Sequence, residues 1–246
     1  MDTAPLPLLE RTGVALQTDE NGAVISALRF QARQPERVNL FLDGQFAFGL
    51  EATQAAALRV GQRLSAEQIA ALRQEDEMAL ALRRALRYLS FRPRSVAEVR
   101  RQLRKRKTND DVCAAALQRL TEQGYLDDVA FARFWLENRA AFRPSSRRAL
   151  QYELRQKGIA QEIIADQLAD WDDVTAALAT LRANERRWKA QDAAQFRQQA
   201  GAFLQRRGFG FADAAEAMQI YREGDAKDPD PAPTALTKHR THRWPK

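Results

Sequence analysis

The chain has little with which to do thiol, imidazole or metal chemistry. Cys113 is the single cysteine in 246 residues, so no internal disulfide can form, which suits a reducing compartment. The two histidines, His239 and His242, both lie close to the C-terminal end. A metal centre built on Cys and His is thereby nearly excluded, as is a Ser–His or Cys–His nucleophile. No apolar run approaches the length of a membrane helix, and Met1 to Arg11 lacks the charged-then-apolar order of a signal peptide. The chain is therefore expected to be cytoplasmic, with no membrane contact. No phosphate-loop pattern follows a strand, so Gly208-Phe209-Gly210 is not read as a nucleotide cradle. Neither a cofactor nor a metal is expected, and nothing in the pattern resembles an enzyme.

What the chain does have is positive charge, unevenly spread. The net charge is +7, yet residues 1–80 hold 7 basic and 11 acidic side chains, which leaves about +11 on the remainder. Residues 83–107 carry eleven Arg or Lys and one acid, Glu98. So few acids at i±4 rule out salt-bridge lacing as the reason for this run, and point instead to an acidic partner.

The chain also repeats itself. Phe91-Arg92-Pro93-Arg94-Ser95 recurs fifty-one residues on as Phe142-Arg143-Pro144-Ser145-Ser146, with Leu103, Val112, Cys113 and Leu117 returning as Leu154, Ile163, Ile164 and Leu168. Leu154, Gly158, Ile159 and Leu168 return once more as Leu204, Gly208, Phe209 and Met218. A period of this length marks a repeat array, whose members bury their apolar faces against neighbours.

Read in order, residues 1–21 are expected to be a flexible arm. Residues 22–64 are expected to form a small β/α module. It contains a strand through Ile25, Leu28 and Phe30, a hairpin turning at Asp43-Gly44, a third strand at Gln45–Leu50, and a helix over Glu51–Arg59 stopped by Gly61. Ser65-Ala66-Glu67-Gln68 has capping-box form and opens a helix to about Ser90, with Leu72, Ala79, Leu82, Ala85, Leu86 and Leu89 inward. Ser95-Val96-Ala97-Glu98 is a second capping box. Three helical repeats are expected over 65–135, 136–170 (its first helix starting near 127) and 171–222, each with one long helix and two shorter ones. The third is read as helices over Asp172–Trp188, Ala193–Arg207 and Phe211–Tyr221. Residues 223–246, rich in proline, are expected to be a disordered tail. The fold class is thus mainly α: three tandem three-helix repeats in an extended curved array behind a β-hairpin-containing module.

Three acid pairs, Asp110-Asp111, Asp127-Asp128 and Asp172-Asp173, invite a metal-dependent nuclease reading. Each sits where a helix begins, at a repeat boundary, where Asp serves as N-cap and suits the helix dipole. Capping explains the recurrence and a single active site does not. Cys113 occupies the position of Ile164, so it is read as a small core residue. The working residues are instead expected among the basic side chains: Arg94, Arg100, Arg101, Arg104, Lys105, Arg106 and Lys107, then Arg147, Arg148, Arg155 and Lys157, then Arg206 and Arg207. Tyr152 joins them as a possible stacking platform. Middle helices repeated in this way would carry a discontinuous basic stripe for a long, periodic partner. The alternative is that about half of these arginines lie flat over apolar surface as cover, which would dilute the stripe without abolishing it.

The order of a capping-box helix, Leu103-Arg104-Lys105-Arg106-Lys107, the run Gly124-Tyr125-Leu126-Asp127-Asp128-Val129-Ala130-Phe131-Ala132, and Glu153-Leu154-Arg155-Gln156-Lys157-Gly158-Ile159 resembles the RecX family of RecA regulators. Glu36–Gly44 and Phe46–Gly49 resemble the extra N-terminal module of its longer members, so the likeness covers about residues 24–221. The third repeat matches mainly through Leu204, Arg206, Arg207, Gly208 and Phe209. The resemblance implies three tandem three-helix repeats that bind along the groove of the recombinase–DNA filament and inhibit strand exchange, ATP hydrolysis and repressor cleavage. It supplies no catalytic residues. Expected partners are the RecA filament and single- or double-stranded DNA, the latter bound less well when bare, by a monomeric protein. The alternative is a protein that acts simply by occupying DNA.

Overall fold

The computed structural model describes residues 22–189 and 191–225; the expected arm, residues 1–21, and the tail beyond residue 225 lie outside the described residues. The chain divides into two compact bodies. One holds the described residues through Arg84 with Thr108–Ala116, and the other holds Ala85–Lys107 with the residues from Leu117 onward.

The first body is built on an antiparallel sheet of β1 (Ala23–Gln31), β2 (Gln34–Leu42), β3 (Gln45–Glu51) and β4 (Arg63–Leu64), in the order β3-β2-β1-β4. The hairpin at Asp43-Gly44 is present, both residues having positive φ. The expectation of three strands is corrected to four. The missed strand is two residues long, too short to show a period. The expected helix over Glu51–Arg59 contracts to α1 (Ala52–Ala55), because the chain must turn back to pair with β1: Gly61 donates its N–H to the Ile25 carbonyl and Ile25 to that of Gln62. Ile25, Leu40, Leu42, Leu50, Leu64 and Ile69 form the core. A register shift between Ile25 and Ala27 brings Leu28 opposite Leu40, and Phe30, opposite Val38 near the end of the strand, is 71% exposed. Helix α2 (Ala66–Leu89) starts on the expected capping pair, with Ser65 and Gln68 exchanging backbone bonds. Of its expected inward positions Ala85 is buried, while Leu86 is 39% exposed; Ala81 and Asp76 are buried in addition.

Helices α3 (Val96–Lys105) and α4 (Asp110–Glu122) follow, then α5 (Asp128–Phe142), α6 (Arg147–Gln156) and α7 (Gln161–Gln167), then α8 (Asp173–Arg182), α9 (Ala193–Arg206) and α10 (Phe211–Asp225). The chain is mainly helical with a small N-terminal sheet module. The third trio departs from the expected pattern. Helix α8 stops at Arg182 rather than Trp188, a short 3-10 turn over Glu185–Arg187 follows, and α10 is the longest of the three. Trp188 leaves helix geometry to fill the core: it is 3% exposed, donates its indole N–H to the Leu181 carbonyl, and meets Phe196 and Phe203 edge-on. Phe131, Leu136, Leu150, Leu154 and Ile164 make the corresponding core of the second trio.

Candidate nucleic-acid interface

The middle helix of each trio carries the basic side chains, and its fold follows from few residues. In α3, Ser95 accepts the Glu98 N–H at 3.1 Å and Glu98 returns to the Ser95 N–H at 3.4 Å, closing the capping box. Val99 and Leu103 turn inward and are fully buried. The helical period then leaves Arg100, Arg101, Arg104 and Lys105 on the exposed side, with Arg106 and Lys107 exposed beyond the last turn. Four cations at the C-terminal end also suit the helix dipole. In α6, Ser146 caps Ala149, Leu150 and Leu154 are buried, and Arg148, Tyr152 and Arg155 share an exposed face at spacings of four and three. Tyr152 is 62% exposed. In α9, Phe196, Ala200 and Leu204 face inward, leaving Arg197 and Arg206 exposed.

Four of the expected candidates are engaged inside the body instead. The Arg94 guanidinium lies 4.0 Å from the Tyr88 ring centroid. Arg147 spends its guanidinium on the carbonyls of Trp171 and Ala169, at 2.6 and 3.1 Å. Lys157 pairs with Glu98 at 2.9 Å and sits over Trp135. Arg207 is half-buried against Phe203. The other ten candidates are exposed.

The acid pairs act as caps, in a division of labour that the spacing does not announce. Asp127 and Asp172 cap their own helices, accepting from Val129 and Ala130 and from Val174 and Thr175. Asp128 and Asp173 reach across to the preceding trio: Asp128 accepts the Val96 N–H at 2.9 Å and Asp173 the Arg147 N–H at 2.6 Å. Each satisfies the first orphan donor of a neighbouring middle helix. In the first trio Asn109 caps α4, with Asp110 and Asp111 in its first turn. Among the described residues no group of three or more His, Cys, Asp or Glu converges where it could hold a metal ion. Burial pushes the carboxyls of Asp128 and Asp173 up. Burial also acts upward on Glu98, but bonds from Arg92 and Lys157 outweigh it and hold that carboxyl below its usual value.

Sequence reasoning missed Arg92, Glu98 and Trp135 as a joint. Arg92 donates to Glu98 at 3.0 and 3.3 Å, Lys157 reaches the same carboxylate from the second trio, and Lys157 and Arg139 both lie over the Trp135 ring. The signal was present in the recurrence of Phe-Arg-Pro, which puts Arg143 at the repeat position of Arg92.

Trios of helices with exposed cations on α3, α6 and α9 define a helical repeat protein. The comparisons give the family. The model of the RecX first three-helix domain matches residues 81–120, and that of the second three-helix domain matches residues 127–168. The regulatory protein RecX of Lactobacillus gasseri is 30% identical over 226 residues, covering 90% of this chain and 82% of that protein. That of Bacillus subtilis is 31% identical, covering 82% and 78%, and that of Lactobacillus johnsonii is 35% identical over a stretch that spans 56% of its length. A crystal structure of regulatory protein RecX superposes over 82% of this chain and 99% of its own with a TM-score of 0.59 at 26% identity. The chain belongs to the RecX family. Among the described residues no helix is long and apolar enough to cross a membrane.

Proposed function

We propose that the protein is a non-enzymatic, cytoplasmic regulator of the RecA recombinase, acting as a monomer in recombination and the DNA-damage response. It lies in the groove of the recombinase–DNA filament, with the exposed cations of its middle helices toward filament acids or DNA phosphates. There it obstructs a second DNA or the addition of protomers, lowering strand exchange, ATP hydrolysis and repressor cleavage. The observation that carries this reading is the placement of Arg101 and Arg104 on α3 and of Tyr152 and Arg155 on α6, fifty-one residues apart, on exposed faces of successive repeats. Relatives that bear the name of a regulatory protein support it.

The test is charge reversal at exposed side chains. Arg104→Glu with Arg148→Glu is expected to weaken inhibition of recombinase ATP hydrolysis by about tenfold while leaving the thermal midpoint within about two degrees, as exposed substitutions do. Normal inhibition by the folded double variant would defeat the proposal. The second reading, simple occupation of DNA, is favoured by the exposed rings of Phe91 and Phe142 beside arginines, at 74% and 81% exposure. Titrating bare against recombinase-coated single-stranded DNA separates the two. A regulator of the filament binds the coated form more tightly.

A further inference from the structure

The joints between successive repeats are built from the same parts, with one exchange. At the first joint Glu98 receives Arg92, Lys157 and the Ser95 N–H, and is 8% exposed. The Ser95 hydroxyl donates to the Lys157 carbonyl at 2.6 Å. Two cations thus share one buried carboxylate. At the second joint Arg143 stands where Arg92 stood, Ser146 where Ser95 stood, and Arg207 where Lys157 stood. The Ser146 hydroxyl donates to the Arg207 carbonyl at 3.3 Å, repeating the contact. The counterpart of Glu98, however, is Ala149. The acid has gone and the cations have not.

A third cation has been added instead. The guanidiniums of Arg187 and Arg207 lie 5.1 and 4.6 Å from the centroid of the same Phe203 ring. Among the described residues, no carboxylate forms a salt bridge with Arg143, Arg187 or Arg207. Burial depresses the Arg207 guanidinium below its usual value, and repulsion from Arg143 and Arg187 adds to this. The capping box is also half open. Ser146 accepts the Ala149 N–H, but an alanine side chain returns nothing to the Ser146 N–H. A place shaped for an anion at the first joint is left without one at the second.

We propose that the second joint is a binding site for a backbone phosphate of single-stranded nucleic acid, which occupies the place of the Glu98 carboxylate. Its oxygens accept from Arg143, Arg207 and the Ser146 N–H, with Arg187 alongside. A lone carboxylate would leave two of three positive charges uncompensated, whereas a polyanion supplies further charge. Exposed Phe142 directly precedes Arg143 and offers a face to a base, and exposed Arg148 follows on α6 for the adjacent phosphate. The inference rests on the nucleic-acid part of the function proposed above, not on recombinase inhibition.

Ala149→Glu tests it by restoring the acid of the first joint. The variant is expected to melt at a higher temperature than the parent and to bind a short fluorescent oligothymidylate about tenfold more weakly at low salt, with the log–log salt slope shallower by about 0.7. Arg187→Gln removes charge from an exposed position and carries the test if the glutamate disturbs folding; it is expected to weaken binding in the same direction. Parental affinity and slope in the folded Ala149→Glu protein, or in Arg187→Gln, would overturn the site. Unchanged oligonucleotide binding with lost inhibition of recombinase ATP hydrolysis would overturn the phosphate assignment in favour of a protein carboxylate. Lost oligonucleotide binding with intact inhibition would uphold the site and count against the groove reading instead.

Discussion

At the scale of single residues, the most demanding contact in the first body is a buried ion pair. The Arg37 guanidinium meets Asp76 with both nitrogens, the second at 3.0 Å, and both side chains are about as buried as the core around them. Gly49 makes room for it, since a Cβ there would come within 2.9 Å of Arg37 Nη2. Two charges this deep stay only because each neutralises the other, so the pair tethers β2 to α2 rather than adding much net stability. Asp76→Ala leaves a guanidinium buried without its counter-ion and is expected to destabilise the first body by about 3–5 kcal/mol. Arg37→Met with Asp76→Leu is expected to recover most of that loss in urea denaturation. Neither residue stands out in the sequence, because Asp76 lies in the run Glu75-Asp76-Glu77, which reads as solvated surface. Which of three neighbouring acids is buried depends on a strand thirty-nine residues away.

At the scale of elements, what was legible was what is local. The capping boxes at Ser65 and Ser95, the cap at Ser146 and the aspartates at 127 and 172 all act within three residues of themselves, so their spacing declares them. The outward faces of α3 and α6 follow from the same short-range period. What was not legible crosses between elements: Asp128 to Val96, Ser95 to Lys157, and β4 to β1. The glycines show the difference well. Gly158 and Gly208 end their middle helices at φ of 79° and 87°, and Lys107 ends α3 at φ of 55°. Left-handed geometry alone does not demand glycine, as Lys107 shows. Close packing does: a Cβ on Gly158 would lie 2.4 Å from the Ala97 Cβ, and one on Gly208 2.7 Å from the Ser146 hydroxyl. No middle helix precedes α3, so its terminal residue keeps a side chain. Gly158→Ala is therefore expected to cost about 2–4 kcal/mol, combining backbone strain with overpacking. Lys107→Gly is expected to stabilise by about 0.5–1 kcal/mol by releasing the strain. Equal and small effects at both positions in chemical denaturation would contradict the packing argument.

At the scale of the whole molecule, four carboxylates among the described residues fall into two sets that act on the pH dependence of stability in opposite directions. Burial raises Asp128 and Asp173 above their usual 3.8. In the window between that value and their folded-state values the native chain holds more protons than the unfolded one, so stability falls as pH rises through it. Glu98 and Asp172 work the other way. Burial acts upward on Glu98, but its bonds to Arg92 and Lys157 prevail, and the bond from the Thr175 hydroxyl leads in lowering Asp172. Their contribution is complete above the ordinary carboxylate range and is lost as pH falls through their lowered folded-state values. The Oδ1 of an asparagine can still accept the backbone N–H that Asp128 or Asp173 accepts, without a charge to desolvate. Asp128→Asn with Asp173→Asn is thus expected to keep the parental urea midpoint at neutral pH or exceed it, and to abolish the decline that begins as pH rises above 3.8. Glu98→Gln is expected to lower the neutral-pH midpoint, because Arg92 and Lys157 lose the charge that lets them approach, and to flatten the acid limb. Urea titrations across the acidic range measure both slopes. A decline that survives in the double asparagine variant would show that the carboxylates spanning the joints are charged without penalty, and that the repeats are not held together as these bonds imply.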